Sequence, residues 1–116
     1  GTRHVVYVAL PSGESSIVGV ARFVIAPGPV RSAEVAIAVA DAWQGAGLGA
    51  VLLARLIEHA RRAKLRRLIA ITLSENRAAG GLARSAGFSL ARTGGNYTEY
   101  ELPLVHCGGA PAGVRP

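Results

Sequence analysis

Trp43-Gln44-Gly45-Ala46-Gly47-Leu48-Gly49-Ala50, "WQGAGLGA", stands between an alternating run, "AEVAIAVAD" (Ala33 to Asp41), and an apolar, arginine-bearing run, "VLLARLIEHARRAK" (Val51 to Lys64). Glycines at alternate positions leave the main chain bare where the hydrophobic period changes from that of a strand to that of a helix. A helix starting there offers first-turn amides that lack carbonyl partners, at the positive end of its dipole. Such a place suits an anion, phosphate above all.

On the strand side, Val35, Ile37 and Val39 fall on one face and Glu34, Ala36, Ala38 and Ala40 on the other. On the helix side, Leu48, Leu52, Leu56 and Ala60 recur at every fourth position, flanked by Val51, Leu53 and Ile57. That spacing predicts an amphipathic helix of about four turns. Glu58 and Arg62 are spaced for a surface ion pair.

Upstream, "HVVYVAL" (His4 to Leu10) and "IVGVARFVIA" (Ile17 to Ala26) are β-branched runs bounded by "PSGESS" and "PGPVRS", an antiparallel hairpin. Downstream, "LRRLIAITL" holds a short buried strand over Leu68 to Leu73. "SENRAAGGLARSAGF" predicts a second helix from near Asn76, stopped by Gly87. Its Gly80-Gly81 pair costs roughly 1 kcal/mol per glycine relative to alanine. "FSLAR" and "NYTEYELPL" finish the chain as two strands about the turn "TGGN". The order β-β-β-α-β-α-β-β contains one strand–helix–strand crossover, Glu34 to Leu73, whose strands should be parallel neighbours. The expected class is α/β, a mixed sheet with helices packed on it.

At 116 residues, half of them apolar, the chain is read as one packed domain over residues 1–105 with a flexible tail over 106–116. No apolar run has membrane-spanning length and no signal peptide opens the chain. The lone cysteine, Cys107, excludes an internal disulfide and fits a reducing, cytoplasmic setting. The initial Gly and the lack of Met imply a processed or excised chain whose native start lies upstream. The net charge of +6 favours an anionic partner, or else is a solvated basic surface. Arg61, Arg62, Arg66 and Arg67 are read as such a face, and Trp43 as a packing residue. Nucleic acid is disfavoured, because the basic residues lack interleaved aromatics. His4, His59 and His106 lack ligand spacing, so no metal is expected.

Several anion sites fit glycines before a helix. Gly45, Gly47 and Ala50 spell G-x-G-x-x-A, but a dinucleotide site needs a strand running directly into the first glycine and an acidic residue about 20 positions later. Here Asp41 to Gln44 intervene, and the later window holds Lys64, Leu65, Arg66 and Arg67. No Gly-Lys-Ser/Thr follows, so a P-loop fails too. A tight strand-to-helix turn without a ligand is the remaining physical alternative.

Gln44-x-x-Gly47-x-Gly49 matches the Q/R-x-x-G-x-G/A pattern of the GNAT superfamily of N-acetyltransferases. "AEVAIAVADAWQGAGLGAVLLARLIEHAR" resembles that family's fourth strand, phosphate loop and third helix. "SENRAAGGLARSAGF" resembles its N-x-x-A-x-x-L-Y-x-x-x-G-F segment through Asn76, Ala79, Leu82, Gly87 and Phe88. The resemblance runs from about Ile17 to Leu102. In pattern it is nearest to the acetyltransferase domains of bacterial protein lysine acetyltransferases, which are often fused to other domains. It implies a GNAT-like fold with a splayed parallel strand pair. The family's first strand and one or two helices have no counterpart before "HVVYVAL".

The resemblance also implies acetyl-CoA as cosubstrate. Its pyrophosphate would lie on the amides of Gly45, Ala46, Gly47, Leu48, Gly49 and Ala50, next to Gln44. Its pantetheine would pair along Val39 with Ala38 and Ala40 beside it, and would touch Asn76. Asn76 equally suits a helix N-cap. Direct transfer to an amine needs that amine neutral. An alkylamine is so in about one molecule per few thousand at pH 7, and a base must take the proton. Glu34 resembles the glutamate that lysine-acetylating members carry near this position; Glu75 and Asp41 are the alternates. The family's thiolate-protonating tyrosine falls at Ala83, so that role is vacant. Ser85, Tyr97, Tyr100 or solvent would have to supply it. The implied activity is acetyl transfer to a primary amine, a protein lysine. A small-molecule amine acetyltransferase and a noncatalytic acetyl-CoA-sensing module are the alternatives.

Overall fold

The computed structural model describes residues 4–28, 31–45 and 47–104, with the backbone alone for Asp41. The expected tail over 106–116 and the loop residue Ala46 lie outside the described residues. Strands β1 (His4–Ala9), β2 (Gly19–Ile25), β3 (Ser32–Val39), β4 (Arg67–Leu73), β5 (Ser89–Gly94) and β6 (Tyr97–Pro103) form one sheet in the order β1-β2-β3-β4-β6-β5. Helix α1 (Leu48–Arg62) connects β3 to β4, and α2 (Arg77–Ser85) connects β4 to β5. As the crossover requires, β3 and β4 are parallel, while every other neighbouring pair is antiparallel. No helix among the described residues is long and apolar enough to cross a membrane.

The alternation of β3 places Val35 in the core and leaves Glu34, Ala36 and Ala38 exposed on the opposite face. The register carries that division across the sheet: Val5, Phe23 and Val35 share the core face, as do Ala33 and Leu68. Helix α1 covers this face with Leu52, Leu53, Leu56, Ile57 and Ala60, all buried. Completely burying a leucine such as Leu56 stabilises the fold by about 2 kcal/mol, so a few such contacts hold the helix in place. The other face keeps Val6, Val8, Val24, Ile71 and Leu73 exposed.

Two surface expectations change. No Glu58–Arg62 ion pair forms among the described residues; the ion pairs there are Arg67–Glu101 at 3.2 Å and Arg92–Glu99 at 3.6 Å. Arg67 therefore leaves the solvated arginine face. It lies within β4 and is partly buried, because the register sets it two residues from Ile69, which is opposite Glu101.

Candidate functional site

The parallel ladder joins only Ser32–Val35 of β3 to Arg67–Ala70 of β4. Past the Val35–Ala70 rung, β3 runs on to Val39 and β4 to Leu73 without pairing to each other. Each is held on its outer side, β3 by β2 and β4 by β6, so the two strands diverge. The gap opens into a cavity of about 670 Å³, within the range of small-molecule sites. Its walls include Val35, Ile37 and Val39 from β3 and residues 70–73 from β4. The start of α1 adds Gly49, Ala50 and Leu53, and α2 adds Ala78, Ala79, Leu82 and Ala83.

Hydrogen bonds decide which main-chain groups face the gap. The Ala40 N–H donates to the Val18 carbonyl, and the Ala26 N–H to the Ser32 carbonyl. By antiparallel alternation, Ser32, Glu34, Ala36, Ala38 and Ala40 direct their main-chain groups to β2, and Ile37 and Val39 turn theirs toward the gap. The Val39 carbonyl takes the Gln44 Nε2–H at 3.0 Å. Of the strand residues expected at a ligand, the cavity therefore takes Val39. Ala38 and Ala40 are not among the residues lining the cavity, whereas Ala36 and Ile37, which sequence reasoning did not name for the site, are. A period-two pattern shows which side chains share a face, but not which neighbouring strand each main-chain group meets.

At the mouth of the gap, Gln44, Gly45, Gly47, Gly49 and Ala50 line the cavity. Gly45 and Gly47 have φ of 84° and 85°, a left-handed backbone that favours glycine. A β-carbon on either would meet nothing within 4 Å, so it is backbone conformation, not crowding, that asks for glycine. Gly47 is the N-cap of α1 and makes no side-chain cap. The first intrahelical bond runs from the Val51 N–H to the Gly47 carbonyl at 3.2 Å, which leaves the amides of Leu48, Gly49 and Ala50 without helical partners. The Leu48 side chain itself packs against the core. Helix α2 differs: the Asn76 Oδ1 accepts from the Ala79 N–H at 3.0 Å, a complete N-cap, while Asn76 also borders the cavity.

Glu34 lies one residue before the last rung of the parallel ladder, exposed on the uncovered face, and is not part of the cavity wall. Neither Glu75 nor Ser85 borders the cavity. Tyr100 packs under α2, with its hydroxyl 2.6 Å from where a β-carbon on Gly80 would stand and the Arg84 guanidinium 5.8 Å from its ring centre. Gly80 shares the buried side of α2 with Ala83, and neither Gly80 nor Tyr100 is among the residues that line the cavity. Ala83 holds an apolar place in the wall. The described residues lining the cavity include no Asp, Glu, His, Lys, Arg or Tyr side chain. Their polar groups are on Trp43, Gln44, Thr72 and Asn76. Trp43, expected as packing, is half-buried in a single 3₁₀ turn and forms part of this wall.

A divergent parallel pair with a bare helix start at its mouth defines the class. The Acetyltransferase (GNAT) family model matches residues 2–88, and the chain belongs to that family. The GNAT domain of S. lividans PAT superimposes with a TM-score of 0.80 at 28% identity, covering 88% of this chain and 61% of that one. yncA of Salmonella typhimurium, solved with its cofactor acetyl-CoA, has a TM-score of 0.69 at 30% identity, with 79% of this chain and 61% of that one covered. The Campylobacter jejuni N-acetyltransferase PseH, in complex with acetyl coenzyme A, shares the fold with a TM-score of 0.73 at 19% identity, over 90% of this chain and 71% of that one. This chain thus spans about three-fifths of the first two proteins. No curated protein sequence matches it.

Proposed function

We propose that this chain transfers the acetyl group of acetyl-CoA directly to a primary amine, and that the amine is a protein lysine. The observation that carries this is the unpaired stretch of β3 and β4 ending at the uncapped start of α1. The amides of Leu48, Gly49 and Ala50, with the Gly45 and Gly47 backbone, hold the pyrophosphate by hydrogen bonds and dipole. Ile37 and Val39 extend the sheet with their gap-facing main-chain groups, pairing with the pantetheine amides as a neighbouring strand would. The thioester end then lies near the Val35–Ala70 rung, between apolar walls. Membership of the family, and the acetyl-CoA present in the yncA and PseH structures, support acetyl-CoA as the donor.

Glu34 acts as the base. It sits at the foot of the gap on the open face, and takes a proton from the incoming ammonium directly or through one water. The amine nitrogen attacks the thioester carbonyl, a C–N bond forms, the C–S bond breaks, and the thiolate leaves. With no acidic side chain among the described cavity walls, water protonates the thiolate. The resemblance in pattern of "AEVAIAVADAWQGAGLG" to the acetyltransferase domains of bacterial protein lysine acetyltransferases supports a protein acceptor.

The test is release of free thiol from acetyl-CoA by the purified protein with lysine peptides, polyamines and free amino acids as acceptors. Turnover restricted to lysine peptides is the expected result. Turnover restricted to small amines would replace the acceptor. Tight CoA binding with no turnover on any acceptor would make the chain a sensing module.

A further inference from the structure

Helix α1 runs antiparallel to β3 and β4, so its last turn meets the first residues of both strands at the end of the sheet opposite the cleft. Five cations gather there: Arg61 and Arg62 in the last turn of α1, Lys64 just after it, Arg31 before β3 and Arg66 before β4. Hydrogen bonds tie the starts of the two strands to each other and to the end of α1. The Arg66 N–H donates to the Arg31 carbonyl at 2.6 Å, and the Arg31 Nη2–H donates to the Ala63 carbonyl at 3.0 Å. All five are exposed, and none forms an ion pair among the described residues, whereas Arg67 and Arg92 are paired with Glu101 and Glu99.

Lys64 adds an independent sign. It is the sole non-glycine with positive φ among the described residues, at 64°, in the turn that ends α1. Glycine is the favoured residue at such a helix end, and a side chain there strains the backbone. The helix dipole favours cations in its last turn, and Arg31 satisfies the carbonyl of the C-cap residue Ala63, but neither calls for a cation on the strained Lys64 or for Arg66.

This knot does not serve the cleft. From Ser32 to Val39 the strand rises about 23 Å, nearly three times the roughly 8 Å screening length of physiological salt. The strand-start cations are therefore beyond the screened reach of phosphates in the gap, and of the five only Arg61 borders the groove between α1 and α2 that shares Ala50 and Leu82 with the cleft wall.

We propose that Arg31, Arg61, Arg62, Lys64 and Arg66 form a docking surface for a carboxylate-rich patch on a partner protein. Four arginine forks suit bidentate carboxylates. A single-stranded nucleic acid would want aromatic platforms between the cations, and a duplex a longer basic track; the knot is compact and contains no aromatic residue. A partner held here leaves the cleft and its open face free.

The experiment measures binding of a fluorescent ten-glutamate peptide, and of a ten-nucleotide single-stranded RNA, at about 150 mM salt. Arg61→Gln/Arg62→Gln/Arg66→Gln is compared with a triple of equal charge elsewhere, Arg22→Gln/Arg55→Gln/Arg84→Gln. The knot triple is expected to weaken peptide binding at least tenfold, and the control triple less than threefold. Lys64→Gly, which relieves backbone strain, is expected to raise the melting temperature while weakening the peptide. Equal losses in both triples would reduce the effect to net charge and overturn the proposal. Failure of the peptide to bind would also overturn it, as would tighter binding of RNA through the same residues. CoA affinity, read in parallel on every variant, reports separately on the cleft.

Discussion

The hydroxyl of Tyr100 occupies the space that a β-carbon on Gly80 would need, 2.6 Å from its ideal position. This relationship explains a glycine that helix propensity alone disfavours. Gly80→Ala should destabilise the protein by about 1–3 kcal/mol through overpacking. In a Tyr100→Phe background the nearest atom is the ring carbon at 3.5 Å, and the same change should be neutral or add up to about 1 kcal/mol of helix propensity. Urea denaturation of the four proteins in a double-mutant cycle would measure the coupling, expected to exceed about 1 kcal/mol. Additive effects would mean that the ring moves aside at no cost.

Gly47→Val places a β-branched side chain at φ 85° in open space. The expected cost is about 1–3 kcal/mol of strain, with CoA affinity lowered at least tenfold because the loop amides turn from their ligand. Calorimetric titration with CoA, on protein shown to be folded by circular dichroism, checks it. Undiminished affinity in the folded variant would remove the loop from the donor site.

Glu34→Gln keeps size and polarity but cannot accept the amine proton. Turnover with a lysine peptide should fall by about 10²–10⁴-fold, while CoA binding stays the same, because Glu34 is outside the cavity wall. Raising the pH, which supplies neutral amine from solution, should recover part of the loss. Unchanged turnover would exclude Glu34 as the base.

Tyr7 ties the edge strand β1 to α1. Its hydroxyl lies 2.8 Å from the His59 Nδ1, and the two rings meet edge-on with centres 5.8 Å apart. Tyr7→Phe should cost about 0.5–1.5 kcal/mol by thermal denaturation, and His59→Phe a similar amount, with less than the sum in the double variant. Full additivity would show that the two side chains do not interact.

Much of this fold is legible along the chain because its signals are local. The four-residue recurrence of Leu52, Leu56 and Ala60 marks the buried stripe of α1, the alternation of β3 separates Val35 from Glu34, and Asn76 announces the cap of α2. The left-handed glycines before α1 and the long crossover likewise imply a bare helix start beside a parallel pair. Less legible were Ile37 on the cavity wall, the pairing of Arg67 with Glu101, and the lack of a Glu58–Arg62 bridge among the described residues. Each depends on a neighbour distant in sequence, or on solvent competing for a long side chain.

The elements, their order, the faces they bury and the helix start that suits a phosphate follow from periodicity and backbone preference within a few residues, and so can be read along the chain. Where β3 and β4 part, which main-chain groups look into the gap, why Gly80 has no side chain, and the meeting of five cations at the far end emerge only once the chain is folded. Those are properties of strands and helices brought together from opposite parts of the chain. Their physical cause is the register of the sheet and the direction of α1 across it.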